Sequence, residues 1–167
     1  MRAENNIETP SLVSRTYIGH PPYFSPGMVS EETQVETLGQ LDLRDVVSKD
    51  FKDKSISELY NQQYAAVKVF STRAIDDQSK ICDSNGVYVD TKAGRRQVPV
   101  QDYLKRISIH NPEVVVAYAD EVNFQESRKR IAKATQRSLT WFKSMTSSDT
   151  GKSGNVTVDW SDKMLFG

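Results

Sequence analysis

The 167 residues suffice for one hydrophobic core of ordinary size and fall short of the roughly 250 that a closed eight-fold β/α barrel takes. With 22 basic and 22 acidic residues the net charge is zero, so attraction to a polyanion has to come from a local patch. One cysteine, Cys82, and two histidines, His20 and His110, exclude a disulfide framework or a cysteine-rich zinc site within the chain and fit a reducing, intracellular setting.

The first residues, Met1 to Asn6, lack the apolar core of a secretory signal, and no run approaches the roughly 18 apolar residues of a membrane span, so a soluble chain is expected. Ile7 to Pro10, Leu12-Val13 and Tyr17-Ile18-Gly19 predict a short strand pair, with Pro10 at an edge or bend. His20-Pro21-Pro22-Tyr23-Phe24-Ser25-Pro26 has three prolines in its last six residues and reads as a stiff extended loop. Its aromatics Tyr23 and Phe24 either line a pocket or close the end of a core. From Val29 to Lys54 the apolar residues are too irregular to define an element. Ser55 or Ser57 then caps a short helix through Leu59-Tyr60, with Glu58 in its first turn. Ala65 to Phe70 reads as a buried strand and Ser71 to Asn85 as loop.

The region Gly86 to Phe142 carries the firmest pattern. Gly86 to Val89 and Arg96 to Val98 flank a polar turn ending at Gly94, which predicts a hairpin. Pro99 opens a helix whose Val100, Tyr103, Leu104 and Ile107 recur at helical spacing, and Asn111-Pro112 stops it. Val114 to Tyr118 is an uninterrupted apolar run, as in a parallel strand covered on both faces. Asp120 and Glu121 follow where that strand leaves the sheet, the end that carries ligands in parallel α/β folds. Either acid alternatively serves only to start the next helix. That helix is predicted over Phe124 to Lys143 with Ser127 as cap. Its Arg128, Lys129, Arg130, Lys133, Arg137 and Lys143 stand against the single acid Glu126. The run reads as a phosphate-contacting face or as a solvated helix surface.

Thr146 to Ser161 is polar and loop-like. Gly151-Lys152-Ser153 lacks the upstream glycine and strand of a phosphate-binding loop, and Asn155-Val156-Thr157 is a glycosylation triplet with no secretory context. Lys163 to Gly167 begins like a strand.

In order and spacing these pieces resemble the tRNA-guanine transglycosylase family, closest to the eukaryotic accessory, non-catalytic subunits of queuine tRNA-ribosyltransferase. Thr9-Pro10 with Leu12-Val13 looks like the family's opening T-P strand, and His20 to Tyr23 like the loop after it. Gly86 to Val89 through Ala93-Gly94-Arg95 is similar to its G-V-x-F hairpin. Val98 to Ile109 resembles the helix behind the hairpin. Val114 to Val122 resembles the I-I-M-A-F-D-E-C strand end, and Ser127 to Phe142 the arginine-rich helix with its R-x-x-x-W pattern. Leu165-Phe166-Gly167 looks like the start of F-G-x-x-Q-G-G. The likeness spans most of Thr9 to Phe142 and the last three residues.

The resemblance implies an α/β chain that is the N-terminal part of a (β/α)8 TIM-type barrel, with an initial β-hairpin segment, truncated within a strand. Residues 1–142 would be the half-barrel, 143–162 a polar loop and 163–167 the beginning of the next strand. Asp120 matches the family's base-binding aspartate, a carboxylate suited to accept from paired N–H groups of a purine. Arg128, Lys129, Arg130, Lys133 and Arg137 become candidate phosphate contacts. Asp83-Ser84-Asn85-Gly86 resembles the family's D-S-G-G loop by letter but abuts the hairpin, so Asp83 reads as a turn residue. The catalytic aspartate and the zinc site of full-length members have no counterpart here, so no cofactor is expected in this chain.

The implied function is therefore a non-catalytic accessory subunit supporting exchange of guanine for queuine at the tRNA wobble position. It would pair with a catalytic queuine tRNA-ribosyltransferase subunit as a heterodimer and meet tRNA through that complex. The resemblance places it in the cytoplasm, or peripherally at the mitochondrial outer membrane. The alternatives are the N-terminal half of a catalytic transglycosylase and a small α/β interaction domain without enzymatic role. A half-barrel exposes two sheet edges, so marginal stability, aggregation or pairing with another chain is expected.

Overall fold

The computed structural model describes residues 13–15, 38–47, 54–55, 58, 67–73, 81–146, 156 and 158–167. In chain order the described elements are β1 (Val13–Arg15), β2 (Leu38–Asp42), α1 (Leu43–Val46), β3 (Val67–Ser71), β4 (Val87–Thr91), β5 (Gly94–Val98), α2 (Val100–His110), β6 (Val114–Val116), α3 (Arg128–Thr146) and β7 (Met164–Phe166). Five strands form one parallel sheet in the order β1-β2-β3-β6-β7, so each pairs with the sheet strand that precedes it in the chain. The architecture is α/β. The β4–β5 hairpin forms a separate antiparallel pair between β3 and α2.

One face of the sheet builds the core. Leu41, Phe70, Val115 and Leu165 stand side by side in register, and the first three are fully or almost fully buried. The stripe expected on α2 covers them: Val100, Tyr103, Leu104, Ile107 and His110 are all buried. Tyr103 stacks on Phe70 at 5.1 Å between centroids, then meets Tyr118 at 5.4 Å, and Tyr118 meets the edge of Trp141 at 4.8 Å. These four rings join β3, α2, the end of β6 and α3 in one row. Offset and edge-on contacts of this kind add roughly 0.5–1.5 kcal/mol each beyond the area they bury. On the other face Val69 and Val114 stay half-buried, and Met164 and Phe166 are 58% and 55% exposed.

The hairpin follows the expected boundaries. Thr91 pairs with Gly94 around a two-residue turn, and Gly94 takes the positive φ of 106° that a glycine tolerates without strain. At its base, a Cβ on Gly86 would lie 2.3 Å from the Val98 carbonyl oxygen, so the close approach of the two strands requires glycine there. α2 ends on Asn111 in the left-handed conformation, φ 45°, and Pro112 prevents continuation. Ser55 and Glu58 form the reciprocal capping pair: each side chain accepts from the other's backbone N–H, at 2.7 and 3.1 Å.

Several expectations change. Val13–Arg15 pairs in parallel with β2; the other segments of the expected initial strand pair, Ile7 to Pro10 and Tyr17 to Gly19, lie outside the described residues. The stretch Val29 to Lys54, which offered no element, contains β2 and α1. Gly39 and Gln40 at the centre of β2 hide it from any periodicity count. The polar loop expected over 143–162 starts later, since α3 continues to Thr146 and buries Met145 one turn after Trp141. The ladder of the apolar run ends at Val116, and the Ala117 N–H then donates to the Phe166 carbonyl. The proline-rich loop His20 to Pro26, the helix through Leu59-Tyr60 and Gly151 to Ser153 lie outside the described residues. No helix among the described residues is long and apolar enough to cross a membrane.

Candidate functional site

Asp120 lies four residues beyond β6, at the carboxyl end of the parallel sheet. Its backbone N–H donates to the Ser138 hydroxyl at 2.8 Å, which fixes the strand exit against the middle of α3. Ser127 starts that helix as expected, its hydroxyl accepting from the Arg130 N–H at 3.2 Å. Arg130 and Arg137 are two turns apart on α3, so both face the same side. Both reach Asp120. Arg130 grips it with two parallel N–H groups at 2.7 and 2.8 Å, and Arg137 donates to the same Oδ2.

The Asp120 side chain is fully buried, while Arg130 and Arg137 are 28% and 13% exposed. Arg137 also lies 6.0 Å from the Trp141 ring, one turn further along the helix. The Cys82 sulfur, on the segment leading into the hairpin, sits 3.2 Å from Arg137 and 3.8 Å from Arg130. Burial works against ionisation of Asp120, but the Arg130 hydrogen bonds, the Cys82 hydrogen bond and the two guanidinium charges outweigh it and hold its pKa below the usual carboxylate range. Burial and then the neighbouring Asp120 push the Cys82 thiol up, with Arg137 pulling the other way. The cluster therefore holds one carboxylate ionised, with both oxygens engaged by guanidinium donors.

The predicted site residues thus divide into two groups. Asp120, Arg130 and Arg137 come together. Arg128, Lys129 and Lys133 are exposed on α3, and among the described residues they enter no ion pair. Asp83 is a turn residue, as read. Its Oδ1 accepts from the Asn85 and Gly86 N–H groups at 2.7 and 3.2 Å and from Gln97, and its Oδ2 from the Tyr88 hydroxyl. The Asn85 bond leads the contributions that lower its pKa. Among the described residues no group of three or more His, Cys, Asp or Glu is placed to hold a metal ion.

Sequence reading missed a second buried polar group at the same sheet end. Asp42 closes β2, accepts from the Asp45 N–H at 3.3 Å and lies 3.4 Å from Arg44. Gln40 donates to the Ser71 hydroxyl at 3.0 Å, Ser71 donates to the Arg73 carbonyl, and Arg73 reaches the Ile81 carbonyl at 3.0 Å. No sequence signal marked Asp42, because β2 (Leu-Gly-Gln-Leu-Asp) is not an apolar run like the one ahead of Asp120. Set against known proteins, the chain matches no family model and no curated protein.

Proposed function

We propose that this chain is an accessory, non-catalytic subunit of the tRNA-guanine transglycosylase type, corresponding to the N-terminal part of its (β/α)8 barrel and supporting exchange of guanine for queuine at the tRNA wobble position. The observation that carries the non-catalytic reading is Asp120 itself. A base-binding carboxylate must present acceptors to a purine edge, and here Arg130 and Arg137 engage both oxygens of a side chain that is fully buried. The aspartate then serves to lock the strand end to α3. Parallel strands added in chain order are how a (β/α)8 barrel progresses, which supports the barrel reading. Its role is assembly with a catalytic subunit, with Arg128, Lys129 and Lys133 facing outward as the cations available to RNA.

Native mass spectrometry of this chain mixed with a catalytic transglycosylase subunit from the same source tests the proposal. A one-to-one complex is expected. A monomer that ignores the partner would overturn it in favour of an independent α/β interaction domain.

A further inference from the structure

α3 spends its inward residues completely: Ala134, Trp141 and Met145 enter the core, and Arg130 and Arg137 go to Asp120. Lys129 and Lys133 are one turn apart on a different, exposed side. Arg128 precedes them in the first turn. Just ahead of the helix the Glu126 N–H donates to the Asn123 carbonyl at 3.1 Å, closing a turn with Phe124 and Gln125 at its corner positions. Phe124 is 88% exposed, more than any other large hydrophobic residue among those described. The core does not hold this ring, and the turn presents it beside the start of a cationic helix.

An exposed aromatic ring next to exposed cations matches the two needs of unpaired nucleic acid: a flat face on which a base stacks, and positive charge for the adjoining phosphates. A duplex would use the cations and leave the ring idle, since its bases are stacked inside. An acidic peptide would do the same. We propose that Phe124, Arg128, Lys129 and Lys133 form a binding surface for single-stranded RNA, Phe124 stacking one base and the three cations contacting phosphates. This deepens the accessory-subunit reading, on which its choice of RNA rests, by assigning to the subunit an unpaired loop segment as its ligand.

The test is fluorescence anisotropy of the full chain, across a range of salt concentrations, with three labelled probes: an RNA stem-loop, the stem duplex alone and a polyglutamate peptide. The stem-loop is expected to bind best. Phe124→Ala should weaken it by roughly 5- to 100-fold with the salt slope unchanged, and Phe124→Trp should keep or improve it. A Lys129→Ala/Lys133→Ala variant should instead make the slope shallower by about 1.4, at ~0.7 per phosphate contact on a single strand. Equal affinity for the duplex, preference for the peptide, or indifference to Phe124→Ala would each overturn the surface. Complex formation with the catalytic subunit is read separately on the same variants. A complex without Phe124-dependent RNA binding sinks this inference alone, and Phe124-dependent binding without a complex sinks the subunit reading alone.

Discussion

Tyr118 donates its hydroxyl hydrogen to the Val98 carbonyl, and the same oxygen accepts from the Val87 N–H at 2.6 Å. One phenol from the end of β6 thereby ties together both strands of the hairpin at its base. Burial raises its pKa well above that of an ordinary tyrosine, so it remains a donor throughout the accessible pH range. Tyr118→Phe keeps the ring contacts with Tyr103 and Trp141 and strands two buried backbone groups. The expected loss is roughly 1–3 kcal/mol for each group left unsatisfied, read as a lower denaturant midpoint together with faster hydrogen exchange at the Val87 amide.

Removing the Asp120 carboxylate leaves two guanidinium groups facing each other with their shared partner gone. Asp120→Ala is expected to destabilise the chain by about 3 kcal/mol or more, because breaking a buried ion pair from one side exposes the desolvation cost of the other. Replacing Asp120, Arg130 and Arg137 together with apolar residues of similar volume should recover much of that loss. Chemical denaturation of the single and triple variants measures the difference. If Asp120→Ala is as stable as the parent, the ion cluster is not structural.

His110 gives the fold a pH dependence of definite sign. Burial first, then the charges of Arg106 and Lys68, lower its pKa from 6.5 to about 4, with Glu58 pulling the other way. The folded chain therefore binds this proton less readily than the unfolded one. Its contribution is fully present above pH 6.5 and is lost as pH falls toward 4, up to about 3 kcal/mol at 1.36 kcal/mol per pKa unit. Denaturation midpoints between pH 7.5 and 4 should show this slope, and His110→Gln should flatten it.

Two glycines of the hairpin should respond differently to alanine. At Gly86 the added methyl meets the Val98 backbone at 2.3 Å, so Gly86→Ala must spread the strands and is expected to cost roughly 1–3 kcal/mol. At Gly94 the added methyl has open space but sits on a positive φ, so Gly94→Ala should cost only about 1 kcal/mol of backbone strain. Thermal unfolding of the two variants ranks them directly.

The sequence made the local elements readable where one residue type or one spacing carries the signal. The α2 stripe, the Ser55–Glu58 capping pair, the Ser127 cap, the Gly94 turn and the apolar runs of β3 and β6 all follow from rules acting within a few residues. β2 escaped because its centre is Gly39-Gln40 and its place between two strands, rather than its own pattern, makes it a strand. The pairing of Asp120 with Arg130 and Arg137 escaped for a related reason. Helical spacing puts the two arginines on one side, but their acceptor lies 10 and 17 residues upstream. Nothing in that spacing tells whether it or a ligand receives them. Charge on a helix is legible from letters, and its destination is a property of packing.

The parallel sheet, laid down strand by strand in chain order, also bears on how the protein is made. Every one of its pairings is non-local, which slows folding, yet each strand emerging from the ribosome finds its predecessor already available as a template. Synthesis and assembly can thus proceed in the same direction, with α2 and the hairpin docking before β6 is complete. The newest strand is always the vulnerable one. In β7, with Met164 and Phe166 facing outward, slow docking onto β6 leaves an apolar edge open to other chains, so this last pairing is the step at which association competes with folding.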